Sequence, residues 1–293
     1  MKILVAGSTG QVARALVERA AAHSCDVAAI GRPELDLAEP STLSAAIKTV
    51  APDIVINAAA YTAVDQAETE PEAAAAINTA GPAALAAATR SAGAPLLHIS
   101  TDYVYDGASD RPYREDNPTA PLGVYGRTKL VGDEAVLAAG GYVFRTAWVY
   151  SPFGKNFVKT MLRLAETRDE VGVVYDQIGN PTSALDIADG LLTAAAKIRA
   201  DAPPAGVYHL AATGHTSWAG VAETVFDESR RADGPVAAVK RITTAEYPTP
   251  TKRPANSRLD TSKLERAFGV VLPAWEPSLR ACVSRLIKES QSA

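Results

Sequence analysis

The sequence has little of what builds disulfide-stapled, metal-bound or membrane-spanning proteins. Only two of its 293 residues are cysteine, Cys25 and Cys282, which excludes a disulfide framework and a cysteine-based zinc site. It has no run of about 18 consecutive apolar residues, and its first apolar run is interrupted by Gly7 and Gly10, too early for a signal peptide. We therefore expect a protein of a reducing, cytoplasmic setting with no membrane partner.

An excess of positive charge is absent as well. Lys and Arg together number 29 against 33 for Asp and Glu, so the formal net charge is −4. Binding to a phosphate backbone needs a basic surplus, so no nucleic-acid polymer is expected as a partner. Hydrophobic residues make up 47% and charged residues 21%, the composition of an ordinary globular protein. The length allows one large domain or two closely joined ones.

Short apolar runs alternate with longer stretches rich in Ala and Leu through the first half of the chain. The runs predict strands at Lys2–Ala6, Asp26–Ile30, 53–57, 95–100 and Tyr142–Thr146. The stretches between them predict helices at 11–22, Ser41–Val50, 72–92 and Val124–Ala138. Because strands that alternate with helices form βαβ units, residues 1–150 are predicted to contain a parallel sheet of the α/β class.

The pattern changes after about Tyr150, where segments rich in Pro, Gly and Thr separate the helical stretches. Helices are predicted at 157–167, 184–197 and 217–230. The segment 243–258 contains Pro248, Pro250 and Pro254, so it is predicted to be a linker or a shaped binding loop. These features predict a second, smaller lobe in residues 151–293, with the helix at 184–199 packing back onto the first domain.

A glycine-rich turn follows the first predicted strand and precedes a helix. In this turn, Gly7 allows a tight bend, Gly10 allows close approach of a pyrophosphate, and the helix amino end at Gln11 and Val12 faces the phosphates. We expect Gly7, Thr9, Gly10, Gln11 and Val12 to bind a dinucleotide. The spacing departs from the dinucleotide fingerprint in its first interval, so a tight turn in a flavodoxin-like fold without nucleotide is the alternative.

Two neighbouring strand ends extend the predicted dinucleotide site. The small residues Ala58, Ala59 and Ala60 leave room for a flat adenine and ribose at the carboxyl edge of the sheet. After the second strand, the Arg32 guanidinium is suited to a 2′-phosphate, which favours NADPH over NADH, although a solvated loop cation is the alternative reading. The remaining predicted cofactor contacts on this side are Gly31, Asp36 and Leu37.

The catalytic signal is a tyrosine and a lysine four residues apart in a predicted helix. Tyr125 and Lys129 lie on nearly the same helix face and can meet one ligand. A phenol of pKa about 10 needs a nearby cation to act as an acid–base catalyst at neutral pH, and Lys129 can supply it. Thr101 follows the fourth strand at the carboxyl edge, where its hydroxyl can hold a carbonyl oxygen. Together, the three side chains suit reduction of a ketone by a nicotinamide cofactor.

In these motifs the sequence resembles the extended short-chain dehydrogenase/reductases, and within them the dTDP-4-dehydrorhamnose reductase family. The resemblance runs nearly end to end. It is strongest in the segments 57–65, 100–105, 144–150, 156–162, 176–182 and 253–259. It implies a Rossmann-type doubly wound parallel sheet, with a dinucleotide-binding domain in residues 1–150 and a smaller α/β substrate-binding lobe mainly in residues 151–293.

The resemblance also implies the reaction and the roles of individual residues. NADPH or NADH would reduce the 4-keto group of dTDP-4-dehydro-L-rhamnose to give dTDP-L-rhamnose, the last step of dTDP-rhamnose synthesis for cell-envelope polysaccharide. Thr101 would hold the keto oxygen, Tyr125 would donate the proton, and Lys129 would orient the nicotinamide ribose and lower the tyrosine pKa. Substrate contacts carried over from the family are Thr101, Asp102, Tyr103, Trp148, Arg253 and Arg258. The protein would be a monomer or a homodimer.

The sequence departs from the family at the residues that would bind a metal ion, and two other functions are compatible with its motifs. Some family members are dimers bridged by Mg²⁺, but Ala15 and Leu185 stand where carboxylates are needed, so no metal bridge is predicted. A sugar-nucleotide epimerase or dehydratase would use the same glycine turn and Tyr/Lys pair, and a dehydratase would also need a carboxylate such as Asp102. The other alternative is a non-catalytic, dinucleotide-binding regulatory subunit, like the one associated with methionine adenosyltransferase.

Overall fold

Thirteen strands and ten α-helices are distributed along the chain in the computed structural model, which describes residues 1–292. The strands are β1 (Lys2–Ala6), β2 (Asp26–Ile30), β3 (Ile54–Asn57), β4 (Leu96–Thr101), β5 (Tyr142–Thr146), β6 (Val149–Tyr150), β7 (Glu170–Val174), β8 (Ile178–Gly179), β9 (Thr182–Ser183), β10 (Gly206–His209), β11 (Thr216–Ser217), β12 (Ala238–Ile242) and β13 (Asn256–Ser257). The helices are α1 (Gln11–Arg19), α2 (Ser41–Val50), α3 (Pro71–Ala75), α4 (Gly81–Ala92), α5 (Val124–Ala138), α6 (Phe157–Ala165), α7 (Ala184–Asp201), α8 (Trp218–Arg231), α9 (Ser262–Phe268) and α10 (Trp275–Gln291).

The central element is a six-stranded parallel sheet in the order β10-β5-β4-β3-β1-β2. The chain leaves β1 toward β2 on one side and returns to β3 on the other, so the strand order reverses next to β1. In open parallel sheets, ligands bind outside the carboxyl ends of the strands at such a reversal. The predicted α/β class and doubly wound sheet are confirmed.

Helices cover both faces of this sheet because successive strand residues point to opposite sides. On one face, Ile3 and Val5 of β1 pack with residues of α1 and α7 in a single buried cluster. On the other face, Leu4 of β1 packs with residues of α2, α4 and α5. Strands buried on both faces are continuous apolar runs, which explains why the sequence pattern revealed them so clearly.

A second apolar cluster belongs to the later part of the chain. It is formed by residues of α6, α8 and α10 together with Val171 and Val173 of β7, which pairs in parallel with β12. The short strands β8, β11 and β13 form a separate three-stranded sheet. Not every later element lies apart from the main sheet. Strand β10 joins its edge beside β5. Helix α7 also packs with the main sheet, in the same cluster as α1.

Several predicted elements differ in detail from the structure. The helix predicted at 72–92 is α3 and α4 joined by a π-helical turn at Ala76–Ala80, and the helix predicted at 11–22 ends in a 3₁₀ turn, Ala20–His23. The sequence pattern missed β7, β10 and β12 and the carboxyl-terminal helices α9 and α10. Among residues 1–292, no helix combines the length and apolarity that crossing a membrane requires.

Helix α5, which carries Tyr125 and Lys129, packs closely on its neighbours through glycines. A Cβ atom placed on Gly132 would lie 2.1 Å from the Asn78 carbonyl oxygen in the π-helical turn. A Cβ atom on Gly126 would lie 2.2 Å from the Tyr103 carbonyl oxygen. Since backbone cannot move aside as a flexible side chain can, both glycines set the distance of α5 from the sheet edge.

We expect the substitution Gly132→Ala to destabilise the protein, although alanine normally favours a helix by about 1 kcal/mol relative to glycine. The added methyl group would overlap the Asn78 carbonyl oxygen, and such overpacking typically costs about 1–3 kcal/mol. Urea unfolding measures the difference. The control is Arg127→Ala on the exposed side of the same helix, expected within about 0.5 kcal/mol of the parent. A Gly132→Ala variant as stable as the parent would contradict the close packing.

Candidate active site

The glycine-rich turn lies where the strand order reverses. Gly7 has φ +106°, a backbone conformation that residues with a side chain rarely adopt. Its N–H donates to the Ile30 carbonyl at 2.7 Å. A Cβ atom on Gly7 would come within 3.4 Å of Ala59. Gly31, at the end of β2, would place a Cβ atom 2.5 Å from the Ser8 hydroxyl oxygen. The structure therefore brings together the predicted cofactor residues at the ends of β1, β2 and β3.

This edge fits a dinucleotide. Thr9 and Gly10 are exposed, Ala58, Ala59 and Ala60 are partly exposed, and Gly10 precedes the first residue of α1, whose free backbone N–H groups suit a phosphate. Arg32 is exposed and makes no ion pair with any residue in the range 1–292. Its guanidinium is thus available to a 2′-phosphate.

Four predicted cofactor residues have their side chains committed elsewhere. Val12 and Leu37 are buried in the two cores that flank the sheet, so only their backbone atoms are available to a ligand. The Asp36 carboxylate accepts a hydrogen bond from the Ala38 N–H at 2.9 Å. The Gln11 amide oxygen accepts hydrogen bonds from two side chains at the start of the second lobe: Ser151 at 2.8 Å and Asn156 at 3.0 Å.

Thr101, Asp102 and Tyr103 form a compact polar group at the carboxyl end of β4. The Thr101 hydroxyl donates to Asp102 Oδ1 and accepts from the Tyr103 N–H, each at 3.1 Å. Asp102 is 4% exposed, and its Oδ2 atom has no hydrogen-bond partner among the described residues. Burial raises the pKa of Asp102 to about 6, while the hydroxyls of Ser257 and Thr101 oppose the shift. Ser257 belongs to β13, so this carboxylate lies between the carboxyl end of β4 and the three-stranded sheet of β8, β11 and β13.

Tyr125 lies beside this group, with its ring at 5.5 Å from the Tyr103 ring in an edge-to-face arrangement. Burial raises the pKa of the Tyr125 phenol, with the Thr101 hydroxyl opposing and Asp102 adding to the increase. The pKa rises because burial disfavours a phenolate more strongly than the surrounding groups stabilise it. Lys129 is not among the main contributions to this shift, so the expectation that it lowers the pKa of Tyr125 stays a prediction for the protein with bound cofactor.

Lys129 is almost fully buried, at 1% exposure. Its Nζ atom lies 3.0 Å from His98 Nε2 and donates to the Ile99 carbonyl at 2.8 Å. Burial lowers the pKa of Lys129 to about 8, and the Asp133 carboxylate acts in the opposite direction. Sequence reasoning missed both His98 and Asp133. A signal for Asp133 was available, because it follows Lys129 by four residues and so lies on the same helix face.

The start of α5 is held by a residue from a distant loop. Gly123 has no side chain with which to cap the helix, and the Glu68 carboxylate instead accepts a hydrogen bond from the Val124 N–H at 2.8 Å. A negative charge at a helix amino end also interacts favourably with the helix dipole. Glu68 thus anchors the turn that carries Tyr125, a role that no local sequence pattern indicates.

The two arginines of the proline-rich loop have different environments. Arg253 makes a 2.6 Å ion pair with Asp65, and its NH1 atom is buried without a hydrogen-bond partner among residues 1–292. Burial is the main cause that raises the pKa of Tyr103 to about 12, and the Asp102 carboxylate adds to the increase, whereas Arg253 opposes it. Arg253 therefore lies beside the polar group formed by Thr101, Asp102 and Tyr103. Arg258 instead donates to Asn256 Oδ1 at 2.8 Å and to the Asp110 carbonyl at 2.7 Å, and it lines a separate cavity of about 250 Å³.

Trp148 occupies a strained position after β5, with φ +49°. Its ring stacks on Trp218 at a centroid distance of 3.7 Å and packs so closely on Gly179 that a Cβ atom there would lie 2.6 Å from it. Left-handed backbone in a large residue costs about 1–3 kcal/mol and persists where the surroundings enforce it. Trp148 is partly exposed, and it contacts the apolar clusters on both sides of the junction between the lobes. Trp218 was not anticipated from the sequence.

The positions considered for a metal bridge are apolar. Ala15 is fully buried, and Leu185 packs against the same core. Nearby, Asp189 pairs with Arg19 at 2.7 Å and with His23 at 2.9 Å. The part of the chain that the structure describes contains no group of three or more acidic, His or Cys side chains arranged to hold a metal ion. That no metal bridges two copies of the chain stays a prediction.

Comparisons with known proteins agree with this geometry. The family model described as RmlD substrate binding domain matches residues 1–288. A dTDP-4-dehydrorhamnose reductase from Sinorhizobium fredii is 48% identical, with 100% of both chains covered, and one from Escherichia coli is 43% identical, with 98% of each covered.

Solved structures give the same result. A dTDP-4-dehydrorhamnose reductase from Clostridium acetobutylicum superposes with a TM-score of 0.90 at 38% identity, covering 98% of this chain and 99% of that one. One from Bacillus anthracis in complex with NADP has a TM-score of 0.87 at 32% identity, covering 96% and 98%.

The fold, the glycine turn and these relatives define a nicotinamide-dependent oxidoreductase of the extended short-chain dehydrogenase/reductase class. Within that class, the chain belongs to the dTDP-4-dehydrorhamnose reductase family.

The burial of Asp102 predicts a pH-dependent effect of the substitution Asp102→Asn on stability. The folded-state pKa of about 6 lies above the unfolded value of 3.8, so ionisation destabilises the fold as the pH rises through this interval and the penalty is complete above it. An uncharged amide avoids the penalty. The free energy of unfolding of Asp102→Asn, taken relative to that of the parent, is expected to be about 2 kcal/mol higher at pH 7.5 than at pH 4.5.

Urea unfolding at the two pH values measures this difference. The exposed substitution Asp110→Asn is the control and is expected to change stability by less than about 0.5 kcal/mol at both. A stability difference between Asp102→Asn and the parent that is independent of pH would show that Asp102 does not carry a raised pKa.

Proposed function

We propose that this chain reduces the 4-keto group of dTDP-4-dehydro-L-rhamnose with NADPH, using Thr101, Tyr125 and Lys129 as its catalytic residues. The observation that carries the proposal is their arrangement at one edge of the sheet, next to a glycine turn that fits a dinucleotide. When bound, the reduced nicotinamide supplies the hydride.

Tyr125 is the proton donor. Its phenol is protonated at neutral pH, a state that burial reinforces by raising the pKa, and it can protonate the more basic developing alkoxide. The Thr101 oxygen is anchored by the Tyr103 N–H, and its single hydrogen points at Asp102. To hold the keto oxygen, this hydrogen turns from Asp102 to the substrate. Lys129 returns a proton to Tyr125 and orients the cofactor ribose.

The substrate contacts are proposed from position and charge. The unpartnered Asp102 Oδ2 and the unpartnered Arg253 NH1 are both buried, and each suits a polar group of the sugar nucleotide. Tyr103 and the partly exposed Trp148 complete this set. Arg258 is the weakest member, because two of its nitrogens already donate within the protein.

The cellular setting follows from composition. We propose a cytoplasmic protein that acts as a monomer or homodimer on a small molecule, with no nucleic-acid polymer and no membrane as partner. The free thiols of Cys25 and Cys282 and the net charge of −4 support this setting.

The substitution Tyr125→Phe tests the reaction and its acid. We expect steady NADPH oxidation in the presence of dTDP-4-dehydro-L-rhamnose to fall at least about a hundredfold, since general acid catalysis contributes about 10²–10⁴-fold. NADPH affinity, measured by fluorescence titration, should be retained. The exposed Tyr175→Phe is the matched control and should keep full activity.

The neighbouring Tyr103→Phe distinguishes the two phenols of the site. It is expected to raise KM for the sugar nucleotide more than it lowers kcat. Loss of kcat in Tyr103→Phe but not in Tyr125→Phe would contradict the assigned acid. Cofactor binding without net NADPH oxidation by the parent protein would instead favour an epimerase, a dehydratase or a regulatory subunit.

Cofactor preference is tested at Arg32. We expect Arg32→Ala to raise the dissociation constant of NADPH about tenfold, because a charge-assisted hydrogen bond to a phosphate contributes about 1.5–3 kcal/mol. The dissociation constant of NADH, which has no 2′-phosphate, should not change. Arg111→Ala, whose parent side chain is 87% exposed, is the control for loss of a surface charge. Equal weakening of both cofactors in Arg32→Ala would contradict 2′-phosphate recognition.

A further inference from the structure

A chain of buried polar side chains extends from Lys129 through the interior of the first domain. His98 and Asp133 are fully buried, and Arg145 is 3% exposed. His98 Nε2 lies 3.0 Å from Lys129 Nζ and 3.7 Å from Asp133 Oδ1. Asp133 Oδ2 accepts from Arg145 Nε at 3.2 Å, whereas Asp133 Oδ1 has no partner among residues 1–292. The proposed reaction does not by itself explain why His98 stands between these groups.

Backbone geometry determines which ring nitrogen of His98 carries the hydrogen. The Ala59 N–H can only donate, and it donates to Asn57 Oδ1 at 3.1 Å, so the NH₂ group of Asn57 must face the other way. That NH₂ group lies 3.0 Å from His98 Nδ1 and donates to it. Burial is the main cause that lowers the pKa of His98 well below its ordinary value, and a positive charge on Lys129 adds to the decrease. The ring is therefore neutral. A neutral ring that accepts at Nδ1 carries its hydrogen at Nε2.

This hydrogen has two acceptors, and only one is usable at a time. An uncharged Lys129 amine has a lone pair and accepts the Nε2–H at the observed 3.0 Å. A Lys129 ammonium has no lone pair, and the Nε2–H then needs another partner. Asp133 Oδ1 is the partner we assign, because it is unpaired and lies 3.7 Å away, so a small shift of the imidazole brings it within hydrogen-bond distance.

We propose that His98 is a positioning residue that donates its Nε2–H to Lys129 when the amine is uncharged and to Asp133 when Lys129 is an ammonium. The His98 Nε2–H therefore keeps a partner in both protonation states of Lys129, and no buried donor is left unpaired when Lys129 changes its charge. This rests on the proposed role of Lys129 as the group that recharges Tyr125. Burial and Asp133, from its own helix, determine the pKa of Lys129. The other titratable or charged groups nearby are His98 from β4, Tyr125 from its own helix and Arg145 from β5 behind Asp133.

The first test needs no activity. Nitrogen-15 NMR of the ligand-free protein reports the hydrogen on each imidazole nitrogen, and the variant His98→Gln assigns the signals of His98. We expect Nε2 protonated and Nδ1 unprotonated from pH 6 to pH 10, with the His98 signals shifting as Lys129 titrates near its pKa of about 8. A hydrogen on Nδ1, an imidazolium, or signals that ignore the Lys129 titration would each overturn the proposal, whatever reaction the protein catalyses.

The second test separates positioning from structural support by the pH profile of kcat. Asp133→Asn removes the charge that raises the pKa of Lys129, so the alkaline fall in kcat is expected about one pH unit lower, with KM little changed. Tyr105→Phe is the control, since it removes the 2.9 Å hydrogen bond to the far side of Arg145 and leaves Lys129 untouched. Identical profiles for Asp133→Asn and the parent would overturn the proposal.

A pair of variants at position 98 covers the case in which Asp133→Asn fails to fold. His98→Leu removes the donor and is expected to lower kcat at least tenfold with NADPH affinity unchanged. His98→Gln keeps an N–H donor and is expected to restore part of that loss. Equal kcat values for His98→Leu and the parent would show that the donor has no role.

Discussion

The close packing of α5 against the carboxyl end of β4 is the constraint on which the site depends. Gly126 and Gly132 let the helix backbone approach Tyr103 and the π-helical turn to distances that no side chain would permit. This approach drives Lys129 into the interior, where its Nζ atom reaches His98 and the Ile99 carbonyl. It also places the Tyr125 ring against Tyr103. A helix displaced by the width of a methyl group would separate the phenol from Thr101.

Burial of this kind shifts the pKa values of the titratable groups at the site. It raises the pKa of Asp102 to about 6 and that of Tyr125 further above its ordinary value, and it lowers the pKa of Lys129 to about 8. Desolvation disfavours the charged form of each group, so the site is shifted toward neutral side chains. A protonated phenol and a lysine that loses its proton near neutrality suit an enzyme that must deliver one proton per hydride.

Contacts between the first 150 residues and the later part of the chain complete the site with residues distant in sequence. Asp65, from the first domain, pairs with Arg253 of the proline-rich loop, and Gln11 of the glycine turn accepts from Ser151 and Asn156. Ser257 reaches Asp102 from β13. The cofactor edge and the proposed substrate contacts are thereby joined by hydrogen bonds and ion pairs. Trp148, held at positive φ by Trp218 and Gly179, lies where these parts of the chain meet.

The amino-acid sequence by itself determined the α/β class, the first five strands and the places of the glycine turn, Thr101, Tyr125 and Lys129. These depend on local periodicity and on turn chemistry, which neighbouring residues specify. It did not reveal β10, because its four residues include Gly206 and His209 and so lack the apolar run that marks the equally short β3. Only the tertiary structure decided that Glu68 caps α5, that Asp65 holds Arg253 and that His98 faces Lys129. These contacts join segments between 31 and 188 residues apart in sequence, and their chemistry depends on burial, which exists only once the chain has folded.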